Sequence, residues 1–171
     1  MTALVRMRLA AYVRTQVAFA PSLAALVVLG STGLMAGDHT RKLVISVPER
    51  KIVLFEDGQV KKSYDVAVGK DSTPSPTGEF QIANRVQHPT WYGPKQVVPP
   101  GKDNPLGTRW MGLGFRGYGI HGTNAPGSIG KAASHGCIRM RNSDVEELFT
   151  LVETGDPVEI VDFVAAAGGG M

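Results

Sequence analysis

The stretch from Ala133 to Met140, ASHGCIRM, contains the only cysteine of this 171-residue chain. His135 lies two residues before Cys137, and Arg139 lies two residues after it. A free thiol has a pKa of about 8.5, so only a small fraction of it is the nucleophilic thiolate at neutral pH. A neighbouring histidine or cation raises that fraction. The composition of this stretch therefore indicates a reactive cysteine beside groups that could activate it.

The order of residues around Cys137 also predicts where each side chain points. If residues 137–140 form a strand, Ile138 and Met140 face the core, and Cys137 shares the opposite face with Arg139 and Arg141. Gly136 leaves room for a substrate carbonyl to approach the backbone. The N–H groups of Gly136 and Cys137 would then form an oxyanion hole, in which one donor contributes roughly 2.7–4 kcal/mol in other enzymes.

Two other roles for Cys137 remain open at this point. It could be structural, since free cysteines are often buried, although His, Gly and Arg are poor neighbours for a buried apolar thiol. It could also bind a metal with His121 and His135, which are ligand types of a catalytic zinc site. The chain offers no local ligand pair of the usual spacing for that site. A Cys/His nucleophile accounts best for the whole stretch.

A second glycine-rich stretch, GLGFRG from Gly112 to Gly117, matches the dinucleotide-binding pattern G-x-G-x-x-G. That pattern is informative only where it follows a strand and opens a helix. Here the chain continues as YGIHG, which is not a helical sequence. We therefore interpret these glycines as residues that allow turns and close packing.

The elements that must position these residues are predicted to be mostly strands. A chain of 171 residues with 21 glycines and 11 prolines suits one domain with many turns and short strands. Asp57 and Gly58 form a hairpin signal. Runs rich in β-branched and apolar residues predict strands at residues 42–47, 51–55, 60–68, 79–86, 109–115, 118–121, 137–140 and 157–161.

One principal helix is predicted directly after the active-site strand. Ser143 and Glu146, three residues apart, fit a capping box. Val145 and Leu148 then follow at helical spacing. The predicted fold class is mainly β, a β-sandwich of mixed sheets with this one helix.

The segment at residues 87–108 contains five prolines and three glycines and shows little periodicity. A long irregular segment in a compact domain suggests a binding loop. Trp91 and Tyr92 lie in this loop and could cover the cleft as a lid. Trp110, in a predicted strand, is interpreted as a core residue, as most aromatic residues are.

The N-terminal segment, residues 1–37, has the order of an export signal. It holds three arginines and no acid, and an apolar run follows Arg14. At roughly 20 residues the run is also long enough to span a bilayer, so we expect either a cleaved signal peptide or a membrane anchor. We expect the protein in the periplasm or cell envelope, touching the membrane only through this segment. An unpaired cysteine in an exported chain is a candidate reactive thiol.

The charge of the remaining chain excludes one class of partner. Three of the 18 basic residues lie in the N-terminal segment, which leaves 15 basic against 15 acidic residues in the rest. This balance gives no electrostatic footprint for nucleic acid. The C-terminal stretch AAAGGGM has nothing to bury, and the tail at residues 163–171 is predicted to be disordered.

The combination of His121, a spacer and SHGCIRM resembles the signature of the L,D-transpeptidase catalytic domain, the YkuD-like family. In that pattern Ser/Thr-His-Gly-Cys is followed by a hydrophobic residue and Asn or Arg, and every position from Ser134 to Arg139 fits. Arg139 stands where many members have Asn, as in one branch of the family. The resemblance covers roughly residues 42–162 and extends through SPTGEF, NPLGTRWMGL, YGIHGT and RNSDVEELF.

The resemblance implies a role for each residue of the motif. Cys137 would be the nucleophile, and His121 the base that activates it, with its other ring nitrogen held by the carbonyl of Gly122. His135 would shape the pocket and assist. Gly136 and Cys137 would supply the oxyanion-hole N–H groups.

The predicted substrate-binding residues are Arg139, Ser134, Trp91 and Tyr92. Arg139 is expected to bind a substrate carboxylate, which suits its planar forked cation. The resemblance implies neither a metal nor an organic cofactor.

Members of this family build peptide cross-links in bacterial cell walls. The resemblance implies attack on the third residue of a peptidoglycan stem tetrapeptide, loss of D-Ala, and transfer of the thioester to an amine to give a 3–3 cross-link. An amine of a wall-anchored protein is another acceptor. Two alternatives stay open: an L,D-carboxypeptidase or cross-link hydrolase of the same fold, and a non-catalytic wall-binding module.

Overall fold

The computed structural model describes residues 40–115 and 117–163. The predicted export segment at residues 1–37 lies outside them, as does nearly all of the predicted tail, so both remain predictions. In the described part, no helix has the length and apolar character needed to cross a membrane.

The larger sheet has five strands, in which one neighbouring pair, residues 41–46 with 157–161, is parallel and the other three pairs are antiparallel. Asp57 and Gly58 both have positive φ, 53° and 76°, as the predicted hairpin turn requires. The hairpin prediction is therefore confirmed. The strands, in spatial order, are β3 (Gln59–Asp65), β2 (Lys51–Glu56), β1 (Arg41–Ser46), β13 (Pro157–Val161) and β5 (Gly78–Gln81).

The smaller sheet has four strands and carries the predicted active-site residues. Its strands, in spatial order, are β12 (Ile138–Arg139), β10 (Gly119–His121), β9 (Arg109–Gly112) and β6 (Asn84–Gln87). β10 and β12 run parallel, and the other two pairs are antiparallel. Two short pairs complete the strands: β4 (Val68–Gly69) with β11 (Ala132–Ser134), and β7 (Trp91–Tyr92) with β8 (Val97–Val98). The prediction of a mainly β fold with mixed sheets is confirmed.

The strand predicted at residues 79–86 is in fact two strands that belong to different sheets. β5 pairs with β13 of the larger sheet, and β6 pairs with β9 of the smaller one. The chain turns at Ile82, which is fully buried and whose N–H donates to the Asp156 carbonyl. The next N–H, of Ala83, donates to the Gly112 carbonyl. This corner links the two layers behind the active site.

The single α-helix of the described residues, α1 (Asn142–Leu151), follows β12 as predicted. The predicted capping box is wrong, because the helix begins one residue before Ser143 and has no side-chain cap. The Ser143 hydroxyl donates instead to the Asp144 carboxylate at 3.0 Å. Val145 and Leu148 are fully buried, so the predicted apolar stripe is confirmed.

One apolar cluster joins the two sheets and the helix. Burying side chains of this size contributes roughly 1.5–3 kcal/mol each relative to leaving them exposed. The cluster gives the active-site strands a rigid support on their inner face. Its most buried members include Leu43, Ile45, Ile52 and Ile160 of the larger sheet, Met111, Ile120 and Ile138 of the smaller sheet, and Leu148 of the helix.

Candidate active site

The structure brings Cys137, His121 and Arg139 to one side of the four-stranded sheet. Ile138 and Met140 are 1% and 0% exposed, whereas Cys137 and Arg139 are only partly buried, as the predicted alternation requires. His121 pairs in register with Arg139 across the parallel strands. All three line a cavity of about 1100 Å³.

The imidazole of His121 is held in one tautomer by the backbone. Its Nδ1 lies 2.5 Å from the carbonyl oxygen of Gly122, the contact that the family resemblance implied. A carbonyl only accepts hydrogen bonds, so Nδ1 carries the proton and Nε2 keeps a free lone pair. Burial lowers the pKa of His121 to about 4; the charge of Arg139 also lowers it, and the bond to Gly122 opposes the shift. The ring is therefore a neutral base at pH 7.

The thiol of Cys137 is protonated at pH 7. Its Sγ donates a hydrogen bond to the Gly117 carbonyl at 3.3 Å. Burial raises the pKa of Cys137, while a backbone hydrogen bond from Gly119 and the charge of Arg139 lower it. Burial prevails, so the cation acts in the predicted direction but does not generate a thiolate by itself. Activation of the thiol requires transfer of its proton to a base.

Gly136 has a backbone conformation that only glycine adopts easily. Its φ is +110°, and a Cβ placed there would lie 2.5 Å from Cε1 of Tyr118 and 3.2 Å from the Pro74 carbonyl oxygen. The residue is thus needed to let the loop pass between these two neighbours and present Cys137 to the cavity.

Ser134 braces the loop before Cys137. Its side chain is fully buried; its hydroxyl donates to the Cys137 carbonyl at 2.6 Å and accepts from the Gly136 N–H at 3.0 Å. Through these bonds Ser134 holds the loop, and its hydroxyl engages the Gly136 N–H. Substrate binding by Ser134 and a part for the Gly136 N–H in an oxyanion hole stay predictions. The Cys137 N–H makes no hydrogen bond to any described residue and stays available for that role.

The walls of the cavity combine aromatic, proline and uncharged polar side chains. Trp91 and Tyr92 lie on β7 at its edge; Tyr92 is 79% exposed, and Trp91 folds over Gly93. The exposed His135 also lines the cavity. These positions are those expected of residues that meet a substrate, and closure as a lid stays a prediction. The remaining lining residues are Asn84, Val86, His88, Pro89, Thr90, Pro94, Pro105, Leu106, Trp110, Gly117 and Ser134.

The loop at residues 87–108 owes its shape to Asn104, which sequence reasoning missed. This side chain is fully buried, and its Nδ2 lies 2.8–3.1 Å from the carbonyl oxygens of Pro89, Val98 and Pro99. Its Oδ1 accepts from the Leu106 N–H at 2.8 Å. The loop that forms the cavity wall is therefore tied together by a single amide at its centre.

Trp110 was interpreted as a core residue, and this prediction is wrong. Its ring is half-buried, lines the cavity and stacks on His121 with centroids 5.8 Å apart and planes at 24°. Pairing the two predicted strands around the GLGFRG turn would have placed Trp110 opposite His121, the register that the structure has. That turn joins β9 to β10, so the nucleotide-binding interpretation was correctly rejected.

The metal arrangement considered from the sequence does not form in the part of the chain that the structure describes. No three His, Cys, Asp or Glu side chains there lie close enough to share a metal ion. His121 directs Nδ1 to the Gly122 carbonyl.

The burial of neutral His121 predicts a loss of stability in acid. Its pKa is about 4 in the folded chain and about 6.5 when unfolded, so the unfolded chain binds the proton first as pH falls. The free energy of unfolding should fall between pH 6.5 and pH 4 by about 3 kcal/mol from this residue. Urea titrations of wild type and His121→Asn at pH 7 and pH 4 measure it. An equal loss in both proteins would contradict the prediction.

The comparisons with known proteins agree with this geometry. The model of the YkuD L,D-transpeptidase catalytic domain matches residues 40–160. The L,D-transpeptidase YkuD of Bacillus subtilis, whose activity is named only provisionally, is 43% identical over 118 residues, 69% of this chain and 64% of its own. YqjB of the same organism, also named provisionally, is 38% identical and matches 70% of each chain. The present chain thus spans just under two thirds of YkuD.

Solved structures extend the agreement to the fold. The catalytic domain of the Enterococcus faecium L,D-transpeptidase, solved by NMR, is 28% identical with a TM-score of 0.59, over 71% of this chain and 96% of that domain. An L,D-transpeptidase of Mycobacterium tuberculosis has a TM-score of 0.63 at 18% identity, over 72% of this chain and 58% of its own. The LdtMt1 structure with imipenem has a TM-score of 0.62 at 20% identity, over 72% and 59%. The chain belongs to the L,D-transpeptidase catalytic domain family.

Proposed function

We propose that this chain is a cysteine L,D-transpeptidase that acts on peptidoglycan stem tetrapeptides. The observation that carries the proposal is the pairing of a half-buried thiol with a neutral imidazole of fixed tautomer in one cavity. Covalent catalysis of this kind divides one difficult acyl transfer into two easier steps. The proposal needs neither a metal nor an organic cofactor.

In the first step the thiol is acylated. His121 Nε2 takes the proton from Cys137 Sγ, and the thiolate attacks the carbonyl carbon of the third stem residue, a diamino acid. The Cys137 N–H stabilises the oxyanion of the tetrahedral intermediate. The bond from this carbon to the nitrogen of D-Ala then breaks, His121 returns the proton to that nitrogen, and D-Ala leaves. A thioester on Cys137 remains.

In the second step an amine takes the acyl group. The side-chain amine of a second stem attacks the thioester, and His121 accepts the proton of that amine. The carbon–sulfur bond breaks, and His121 returns the proton to Sγ, which regenerates the thiol. The product is a 3–3 cross-link. An amine of a wall-anchored protein could be the acceptor instead, and transfer to water would make the protein a carboxypeptidase.

Arg139 is proposed to bind a carboxylate of the substrate. It is the only Lys, Arg, Asp or Glu side chain among the described residues that line the cavity. A hydrogen bond to a charged group contributes about 1.5–3 kcal/mol, so Arg139→Ala should lower kcat/KM by about 10- to 100-fold. Arg141→Ala is the matched control, because Arg141 is exposed, pairs with Asp144 and does not line the cavity. Equal effects of the two substitutions on kcat/KM would contradict the proposal.

Intact-mass spectrometry tests the function as a whole. The protein is incubated with a disaccharide-tetrapeptide, and in parallel with a carbapenem, since imipenem occupies the similar structure of LdtMt1. An acyl adduct on Cys137 together with cross-linked dimers that lack one D-Ala is the expected result. Release of tripeptide alone would assign a carboxypeptidase. No adduct with either reagent on folded protein would favour a wall-binding module.

The proposed substrate also requires that the protein be exported. Peptidoglycan lies outside the cytoplasm, and residues 1–37 have the composition of a signal peptide or anchor. We propose a location in the periplasm or cell envelope. Cell fractionation checks this location, and recovery of the whole pool in the cytoplasm would contradict it.

A further inference from the structure

A row of side chains crosses the cavity face of the four-stranded sheet. Trp110 of β9 lies opposite His121 of β10, and His121 lies beside Arg139 of β12. On the outer strand β6 the register partner of Trp110 is Val86. Asn84, two residues earlier on that strand, also lines the cavity and accepts a hydrogen bond from the indole. The indole of Trp110 therefore lies between Asn84 and the ring of His121.

The position of this indole is fixed on both sides. Its Nε1 donates to Asn84 Oδ1 at 3.1 Å, and the same oxygen accepts from the Gly112 N–H at 3.3 Å. A Cβ at Gly119 would lie 2.7 Å from two carbons of the indole, so the ring packs closely against β10 at a position that has no side chain. The anchored ring stacks on His121 at a centroid distance of 5.8 Å.

We infer that Trp110, anchored by Asn84, is a positioning residue that orients the His121 ring and keeps water from one of its faces. The inference rests on the proposed function, in which His121 Nε2 must point at the thiol. The Gly122 carbonyl holds only the Nδ1 side of the ring. The stacked indole supplies the second constraint, which prevents the ring from tilting about that hydrogen bond.

The inference has a measurable electrostatic consequence. Burial is the largest cause of the low pKa of His121, and Trp110 provides part of that burial. Removing the indole admits water to the imidazole and raises its pKa toward the ordinary value of about 6.5.

The other groups that influence the pKa of His121 do not contact the Trp110 indole through this stack. Among the described residues, the charged and titratable side chains that share its cavity are Arg139, Cys137, His135, His88 and Tyr92, and none of them is Asp or Glu. On the core side, the contacting helix α1 contributes the apolar Val145 and Leu148. A change in the titration of His121 on removal of the indole is therefore attributable to the indole.

The test is an NMR titration of the full-length chain labelled with 13C-histidine, with the His121 signal assigned by its loss in His121→Asn. In Trp110→Leu the midpoint of the His121 titration, which reports the pKa of its imidazole, should rise from about 4 by roughly one pH unit or more. Asn84→Ala, which frees the indole, should shift it in the same direction by less. Trp110→Phe keeps an aromatic ring beside the imidazole but loses the hydrogen bond to Asn84, so its His121 titration midpoint should lie between those of wild type and Trp110→Leu.

Trp91→Leu is the matched control, because Trp91 lines the same cavity but folds over Gly93. Its His121 midpoint should equal that of wild type. Unchanged midpoints in both Trp110→Leu and Asn84→Ala would overturn the inference. If Trp110→Leu does not fold, an unchanged midpoint in Asn84→Ala overturns it alone.

The titration needs no substrate, which separates this inference from the proposed function. If the wild-type protein forms no acyl adduct, but the His121 titration midpoint moves in the variants as described, only the transpeptidase proposal is refuted. If the wild-type protein forms the adduct, but the His121 titration midpoint stays unchanged in the variants, only the role of Trp110 is refuted.

Discussion

Cys137→Ala is expected to abolish cross-linking while leaving the fold intact. The substitution removes the only thiol of the chain, and the loss of a nucleophile in covalent catalysis costs about 10⁴-fold or more in kcat. Stability should change little, because the thiol is only partly buried and donates a single hydrogen bond, to Gly117. Liquid chromatography of the dimer products and urea unfolding measure the two quantities.

Cys137→Ser provides the control for shape at this position. A hydroxyl can keep the hydrogen bond to the Gly117 carbonyl, yet it is a far weaker nucleophile than a thiol beside the same base. Turnover in the serine variant should fall nearly as far as in Cys137→Ala. A Cys137→Ala protein whose rate stays within about tenfold of wild type would exclude the thioester mechanism.

Gly136→Ala is expected to impair both stability and acylation. A non-glycine residue at φ +110° is strained by about 1–3 kcal/mol, and its Cβ would also press against the Tyr118 ring. Relief of this contact would move the loop that carries Cys137. Because a misplacement of about 1 Å can cost roughly 10²-fold in rate, carbapenem acylation should slow by about that factor.

Gly127→Ala is the matched control for Gly136→Ala. Gly127 does not have positive φ, and a Cβ there would meet nothing within 4 Å. Its free energy of unfolding and its acylation rate should both stay close to those of wild type. A Gly136→Ala protein that acylates as fast as the Gly127→Ala protein would show that the loop tolerates a side chain at position 136.

Local patterns predicted most of the fold because strands and turns leave short-range signals. The Asp57-Gly58 turn and the buried Ile138 and Met140 needed no knowledge of distant residues. The corner at Ile82 could not be found this way, since residues 79–86 form one continuous strand-like run. What divides that run is hydrogen bonding to Asp156 and other residues far along the chain.

The sequence predicted which residue types form the candidate site, but not the hydrogen bonds and contacts that they make. The spacing of His121 and of the SHGC motif pointed to a histidine and a cysteine that the structure brings to one cavity. The same motif does not reveal that Ser134 takes up the Gly136 N–H, because this depends on the loop conformation. Trp110 was assigned to the core instead of the cavity because its relation to His121 depends on strand register.

The buried amide of Asn104 fixes the backbone of the cavity wall without involving the side chains that the wall presents to the cavity. Its hydrogen bonds go to backbone groups only, so they are indifferent to which side chains the loop displays. Tyr92 and Val97, on the outward-facing hairpin, are 79% and 60% exposed and contribute little to folding. Substitutions at such positions in a mutant library should leave the fold intact. The wall is thus a ready platform for evolving altered substrate preference.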